Sequence, residues 1–115
     1  MSIKDSELYK RGIIAWQPSN IYPTAKIGKN VSIGAFSETG NNVKIGNNVR
    51  IGAMSFIPEG VEIEDEAWLG PRLTCTNDRF PPSPSCQWQK TYIKKGAGLG
   101  ADVSLLCGIT IGAVS

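Results

Sequence analysis

Aliphatic side chains recur every six residues along most of this chain. The series runs in one phase over residues 21–75 and resumes in the same phase over residues 93–111. Its members are Ile21, Ile27, Ile33, Ile45, Ile51, Ile57, Ile63, Leu69, Ile93, Leu99, Leu105 and Ile111. Thr39 and Cys75 occupy two further slots of the series. A fixed period of this kind predicts a repeat architecture, in which successive units bury their apolar faces on one another.

Each six-residue unit predicts a short strand followed by a corner. Val43 and Ile45 share one face of a strand because side chains alternate along it, and Lys44 between them points outward. A glycine often follows the aliphatic residue, as Gly46 does, and permits a corner with unusual backbone angles. Three such sides close a triangular coil, and successive coils stack at about 4.8 Å. The prediction is therefore an all-β parallel solenoid in which residues one coil apart lie above one another.

The alternative all-β fold is an antiparallel sandwich, whose strands recur at a variable spacing of about 8–12 residues. The strict phase over residues 21–75 disfavours it. The stack predicts three outward columns, namely Glu38, Phe56 and Thr74, then Ser32, Arg50 and Trp68, then Lys26, Lys44 and Glu62. In the second column, Arg50 can lie over the Trp68 ring in a cation–π contact.

Two segments depart from the repeat. Residues 1–20 do not follow it and are expected to cap the first coil of the domain 21–115, with Trp16 or Ile13 over the open core. Residues 77–91 contain Pro81, Pro82 and Pro84, which exclude a continuous strand and predict an extruded loop. A long loop in a compact repeat is commonly functional, although a neutral surface insertion remains the alternative. At the other end no capping helix follows the last strand, so we expect C-terminal coils and a cap to be missing; the alternative is a natural short form whose open end is capped by another partner.

The composition of the chain excludes or disfavours several classes of function. The chain has 115 residues, which suit one domain, and a net charge of +2, which does not favour nucleic acid or a membrane as partner. The segment 1–16 has no continuous apolar core and so predicts no signal peptide, which favours a cytoplasmic setting. Histidine is absent, which excludes His-dependent hydrolysis and His-ligated zinc. Three cysteines without a CxxC pair favour neither a disulfide framework nor a metal site.

The repeat motif [I/L/V]-G-x-x-[small]-x resembles the hexapeptide-repeat acyltransferase superfamily over residues 21–75 and 93–115. This resemblance implies a left-handed parallel β-helix, although connections between parallel strands are otherwise right-handed. It also implies a homotrimer, for which the outward aromatic rings of Phe56 and Trp68 are candidate interface or substrate contacts.

The segments that flank the loop resemble a subgroup that N-acetylates nucleotide-linked amino sugars, with the motifs GPxxxxTND and W-x-K-T-x-I-K-K-G-A-x-I-G-A. The matching residues are Gly70, Pro71, Thr76, Asn77, Asp78, Trp88, Lys90, Thr91, Ile93, Lys94, Lys95, Gly96, Ala97, Gly100 and Ala101. Leu99 replaces the usual isoleucine of the second motif. The resemblance implies acetyl transfer from acetyl-CoA, without a metal, to a dTDP- or UDP-linked amino sugar for surface glycan synthesis.

Such a reaction needs alignment, one proton acceptor and stabilisation of an oxyanion. Asp78 is the candidate acceptor, and Asn77 is the candidate group that positions the amine or a water molecule. The proton can instead leave through water to the departing thiolate, so a strong base is not required. Ordinary turn formation is the other interpretation of this Asn-Asp pair.

Further candidates lie around this pair. The substrate-binding candidates are Trp68, Arg79, Trp88 and Lys90. The cofactor-binding candidates are Gly98, Gly100 and Ala101, whose small side chains allow a pantetheine arm to approach the backbone. The resemblance implies that coenzyme A lies along such a coil, near a neighbouring subunit. Cys107 is expected to be a bystander and Cys75 a core residue, while Cys86 lies in the loop without a recognisable role.

Two function classes remain. The first is the N-acetyltransferase, and the second is a non-catalytic β-helix module for structure or assembly, or a truncated fragment of such an enzyme. Carbonic anhydrases on the same fold, and the O-acetyltransferases of the superfamily, depend on histidine, which this chain lacks.

Overall fold

A computed structural model of the chain describes residues 5–79, 81–84 and 88–112. These residues form one short helix and fifteen short strands. The elements are α1 (Asp5–Lys10), β1 (Ile13–Ala15), β2 (Asn20–Ile21), β3 (Lys26–Ile27), β4 (Val31–Ile33), β5 (Glu38–Thr39), β6 (Lys44–Ile45), β7 (Arg50–Ile51), β8 (Phe56–Ile57), β9 (Val61–Ile63), β10 (Trp68–Leu69), β11 (Thr74–Cys75), β12 (Thr91–Ile93), β13 (Gly98–Leu99), β14 (Ser104–Leu105) and β15 (Thr110–Ile111).

The strands form the three faces of a prism, each a parallel five-stranded sheet. Sheet A has the order β1-β4-β7-β10-β13, sheet B the order β2-β5-β8-β11-β14, and sheet C the order β3-β6-β9-β12-β15. Each coil contributes one strand to sheet A, then one to sheet B and one to sheet C, before the next coil begins. This architecture is the all-β parallel solenoid that the six-residue period predicts, and it is consistent with the left-handed β-helix implied by the resemblance.

The register between coils confirms the predicted stacking. Ile33 pairs with Ile51, one coil of eighteen residues later, as the three-sided coil requires. Leu69 instead pairs with Leu99, because the extruded loop adds twelve residues to that coil. All three predicted outward columns are present, as the pairs Glu38–Phe56, Ser32–Arg50 and Lys26–Lys44 illustrate.

One predicted contact in these columns is wrong. Arg50 pairs with Trp68 in the sheet, but its guanidinium does not lie over the indole ring. The Arg50 Nη1 donates instead to the carbonyl oxygens of Asn30 at 2.6 Å and Val49 at 3.2 Å. Carbonyl oxygens at a corner offer a directed hydrogen bond, which an exposed ring does not. The one ammonium that lies near an aromatic ring in the described part of the chain belongs to Lys94, 5.6 Å from the Tyr92 centroid.

The glycines have a different role from the one the sequence predicts. The left-handed backbone conformation is adopted two residues later in each unit, for example at Asn48 with φ 60° and Met54 with φ 61°. Asparagine adopts this conformation readily and methionine adopts it only at an energetic cost, so only some corners use a well-suited residue. The glycine after the aliphatic is required by the next coil, because a Cβ on Gly70 would lie 2.6 Å from the carbonyl carbon of Gly100.

The ends of the repeat also differ from the prediction. The first coil begins at Ile13, ahead of residue 21, because β1 pairs with β4 in sheet A. Ile13 is buried in the core and Trp16 is 63% exposed, so Trp16 does not cover the coil. Helix α1 buries Leu8 completely and packs on β1. The extruded segment ends at residue 90, since Thr91 already belongs to β12 and pairs with Val61.

The interior of the prism is a continuous aliphatic core with two anomalies. Thr39 and Thr91 are fully buried, and the structure gives neither hydroxyl a hydrogen-bond partner among the described residues. Thr39 occupies the one slot of the first series that is not apolar, between Ile21 and Ile57. A buried hydroxyl without a partner reduces stability. No helix in the described part of the chain is long and apolar enough to span a membrane.

The contacts of the glycines predict that the same substitution has different effects on stability at two stacked positions. Gly70→Ala is expected to lower the free energy of unfolding by roughly 1–3 kcal/mol, because the added methyl meets the backbone of the next coil. Gly100→Ala is the matched control, since no described atom lies within 4 Å of a Cβ built there. Urea denaturation of both variants measures the difference. Equal stability of the two would contradict the role given to the glycine.

The buried threonine predicts a stabilising substitution. Thr39→Val keeps the shape and removes the unpaired hydroxyl, so we expect a gain of about 1 kcal/mol. Thr76→Val is the control, because the Thr76 hydroxyl donates to the Leu105 carbonyl at 3.2 Å and accepts from the Cys107 amide at 3.1 Å. The unfolding temperature should rise for Thr39→Val and fall for Thr76→Val. A fall for both would mean that the Thr39 hydroxyl is satisfied.

Candidate functional site

The loop leaves the prism at the corner between sheets B and C, and Asn77 holds its base. The Asn77 Nδ2 donates to the Glu59 carbonyl oxygen of the coil below at 2.8 Å. The Gln89 amide donates to the Asn77 carbonyl oxygen, also at 2.8 Å, so the two ends of the loop are joined. Asn77 therefore anchors the loop through its Nδ2, which leaves the Oδ1 of the same side chain to accept a further donor.

Asp78 follows at the start of the loop and is half-buried. Its Oδ2 accepts a hydrogen bond from the Ser83 amide at 2.8 Å, across the first turn of the loop. This is the turn chemistry that the alternative interpretation of the Asn-Asp pair expects. A carboxylate in this position can also accept a proton from a group bound beside the loop. Arg79, the next residue, is exposed.

Lys90 lies at the other end of the loop, beside sheet C. Its carbonyl oxygen accepts from the Gly108 amide at 3.0 Å, and its Nζ lies 3.4 Å from the Glu62 Oε2. Trp88, two residues earlier, is 38% exposed. A cleft of about 340 Å³, here called the corner cleft, lies beside these residues. Its lining consists of Asn42, Lys44, Glu59, Gly60, Glu62 and Lys90.

The remaining candidates lie on another face of the prism. Trp68 is 59% exposed on sheet A and pairs with Gly98 in the coil above. Gly100 and Ala101 are exposed at the corner between sheets A and B, and Gly100 stacks over Gly70. Within one chain the structure thus brings Asn77, Asp78, Arg79, Trp88 and Lys90 to the loop corner. It does not bring Trp68, Gly98, Gly100 and Ala101 to that corner.

The residues that the sequence reasoning missed form a groove along sheet C. This groove, here called the sheet C groove, has a volume of about 580 Å³. Its lining consists of Lys26, Ile27, Gly28, Lys44, Ile45, Gly46, Glu62, Ile63, Glu64, Asp65, Tyr92 and Lys95. The outward column of Lys26, Lys44 and Glu62 was predictable from the period, but no motif predicts a role for it. Lys44 and Glu62 line both the groove and the corner cleft, so the two spaces adjoin.

An ion pair between Arg72 and Asp102 connects two successive coils beside Ala101. The Arg72 guanidinium donates to both oxygens of Asp102, with 2.8 Å from Nη2 to Oδ2. The hydrogen bond from Arg72 lowers the pKa of the Asp102 carboxyl below its usual value, and the same bond raises the pKa of Arg72. Both side chains are exposed, so the pair orders this corner and contributes little stability.

The described cysteines are not placed for catalysis. Cys75 is fully buried in the core, and burial raises the pKa of its thiol to about 12. Cys107 is also buried, beside the Thr76 hydroxyl that binds its amide. Cys86 lies outside the described residues. Within the described ranges, no three side chains of the types that bind metals lie close enough to share an ion.

The loop corner therefore offers a carboxylate, an amide oxygen and two cationic side chains, of which Lys90 lines the corner cleft. These groups can orient a substrate and accept one proton, and the chain has no imidazole to supply a stronger base at neutral pH. An amine that attacks a thioester needs no more than this, because the nucleophile and the leaving group are both good.

Comparison with known families agrees with the fold. Residues 24–59 match the family described as Bacterial transferase hexapeptide (six repeats). The matched residues lie in the early coils and make up about a third of the chain. A search of curated proteins found no match to this chain. The match and the β-solenoid together support the hexapeptide-repeat transferase superfamily. Many proteins of that family are acyltransferases, so acyl transfer is the general type of function indicated.

The cysteines give a test of a mechanism without a covalent thioester on the protein. Cys75 and Cys107 are expected to resist iodoacetamide at a pH of about 8, because burial excludes the reagent and the Cys75 thiol stays protonated. Both should react in denaturant, which is the control. Mass spectrometry of the Cys86→Ser variant measures the labelling. Rapid labelling of the native protein would contradict this arrangement.

Proposed function

We propose that this chain is an acetyl-CoA-dependent N-acetyltransferase whose acceptor is a dTDP- or UDP-linked amino sugar. The observation that carries the proposal is the position of Asn77 at the base of the extruded loop, bonded to the Glu59 carbonyl of the corner cleft, with Asp78 next to it in the chain. The family match supports the acyl transfer, and the motifs around the loop support the amino sugar as acceptor.

In the proposed reaction, the amine nitrogen of the sugar attacks the carbonyl carbon of the thioester. A carbon–nitrogen bond forms, the carbon–sulfur bond breaks, and coenzyme A leaves as the thiolate. The nitrogen loses one proton, which the Asp78 carboxylate accepts and then returns through water to the thiolate. The Asn77 Oδ1 accepts a hydrogen bond from the amine and thereby directs its lone pair at the carbonyl carbon.

We further propose that the working unit is a homotrimer. The substrate candidates at the loop corner and the cofactor candidates on sheet A lie on different sides of one chain, so a second copy is needed to bring them together. Large exposed apolar side chains near the edge between sheets A and B suit such a contact, among them Phe36 at 68%, Met54 at 57% and Trp68 at 59% exposure.

The second candidate is a non-catalytic β-helix module. One observation favours it, since the Asn77 Nδ2 is used to anchor the loop to the coil below and the Asp78 Oδ2 is used within the loop itself. A module without catalysis needs the loop only as a folded surface. Acetyl-CoA should raise the unfolding temperature of the transferase and leave that of the module unchanged.

Asp78→Asn separates the catalytic role from the structural one. The asparagine Oδ1 still accepts from the Ser83 amide, so the free energy of unfolding should stay within about 0.5 kcal/mol of the original. The rate of acetyl transfer should fall by about 10²–10⁴-fold, because an amide cannot accept the proton. Release of free thiol, measured with acetyl-CoA against a panel of dTDP- and UDP-linked amino sugars, reports the rate.

The outcomes of this experiment are distinct. Full activity of Asp78→Asn would remove Asp78 as the proton acceptor and leave the route through water. Loss of both activity and stability would assign Asp78 to loop folding. An unmodified protein that transfers no acetyl group to any sugar of the panel, and gains no stability from acetyl-CoA, would favour the non-catalytic module.

A further inference from the structure

The sheet C groove presents cations that have no carboxylate partner among the described residues. Lys26 and Lys44 are direct neighbours in the parallel sheet, so their side chains project from the same face one above the other. No carboxylate of the described residues lies within 4.0 Å of either ammonium group. Like charges in this arrangement repel each other and reduce stability. Lys95, which also lines the groove, likewise has no carboxylate within 4.0 Å of its ammonium group among the described residues.

The acidic side chains of the groove, by contrast, are already engaged. Glu62 pairs with Lys90 at 3.4 Å, and Glu64 pairs with Lys94 at 3.3 Å and accepts from the Lys95 amide at 3.0 Å. Asp65 accepts from the Asn47 amide at 2.7 Å. The unneutralised charge that faces the groove is therefore positive, although its acids and its bases are equal in number.

The shape of the groove favours an elongated ligand. Its lining includes the aliphatic Ile27, Ile45 and Ile63, and Tyr92 from the next coil, with the ring 36% exposed. Lys44 and Glu62 are shared with the corner cleft, so a ligand in the groove can reach Lys90 and the base of the loop. Phosphate oxygens can accept charge-assisted hydrogen bonds from the neighbouring Lys26 and Lys44, and a planar base can stack on the Tyr92 ring.

We infer that the sheet C groove binds the diphosphate of a substrate, with Lys26 and Lys44 on the phosphate oxygens. This inference rests on the proposed transferase, because it places the reacting end of that substrate in the corner cleft, at the base of the loop that carries Asp78. Two sources supply this chemistry, namely the nucleotide diphosphate of the sugar and the pyrophosphate of coenzyme A. The groove adds Lys26, Lys44, Lys95 and Tyr92 to the residues that determine which substrate is bound.

The first test uses inorganic pyrophosphate as the probe and titration calorimetry on the full chain. Lys26→Gln and Lys44→Gln are each expected to raise the Kd by about tenfold, because each loses a charge-assisted contact. Lys10→Gln, which removes the same charge from the exposed end of α1, is the matched control and should leave the Kd unchanged. Lys44→Arg should retain binding, since it keeps the charge.

The unfolding temperature of the variants distinguishes a ligand-binding role of the lysines from a structural one. Lys26→Gln should unfold at the same temperature or a higher one than the original protein, because it relieves the repulsion from Lys44. A variant that binds less tightly without loss of stability supports a ligand site. Unchanged pyrophosphate binding in the double variant Lys26→Gln/Lys44→Gln would overturn the inference. Failure of the original protein to bind at millimolar pyrophosphate would also overturn it.

Competition distinguishes the two sources. Displacement of pyrophosphate by UDP or dTDP, but not by coenzyme A, assigns the groove to the nucleotide sugar, and the reverse assigns it to coenzyme A. Displacement by none of them overturns the inference.

Kinetics separate this inference from the proposed function. Acetyl transfer with an unaltered KM for both substrates in the double variant would reject the groove and keep the transferase. Lysine-dependent pyrophosphate binding in a protein that transfers no acetyl group would keep the groove and reject the transferase.

Discussion

The close approach of successive coils is the constraint on which the rest of this structure depends. Parallel strands hydrogen-bond only at about 4.8 Å, and at that distance several of the corners that follow a core aliphatic residue have no space for a Cβ. Gly52 lies against Pro71, and Gly70 lies against Gly100, each with a backbone atom where a methyl group would be. Because neighbouring coils approach each other this closely, the strands of two or three residues persist only as members of the stack.

The sequence predicts the fold well because the coil repeats at a fixed length. Since a side is six residues, the pairing of Lys26 with Lys44, and of Glu38 with Phe56, follows from numbering alone. The role of the glycines was not predictable in this way. A glycine signals either a positive φ or a close approach, and only the coordinates show that Met54 adopts the positive φ while Gly52 makes the close approach.

The candidate site was predictable only in part, because a site depends on contacts outside the period. The motif around Asn77 and Asp78 identifies the loop corner, but the bond from Asn77 to the Glu59 carbonyl joins residues that no motif relates. The groove shows the same limit. The column of Lys26 and Lys44 follows from the period, yet the engagement of Glu62 by Lys90 depends on how the loop returns to the prism.

The loop leaves and re-enters the prism without disturbing the pairing on either side. Cys75 still pairs with Leu105 and Thr91 with Val61, because the coils above and below determine both registers. The length and composition of the segment between them are therefore not constrained by the stack. Evolution can exchange this excursion for another and alter what is recognised at the corner, while the scaffold keeps its geometry and most of its folding energy.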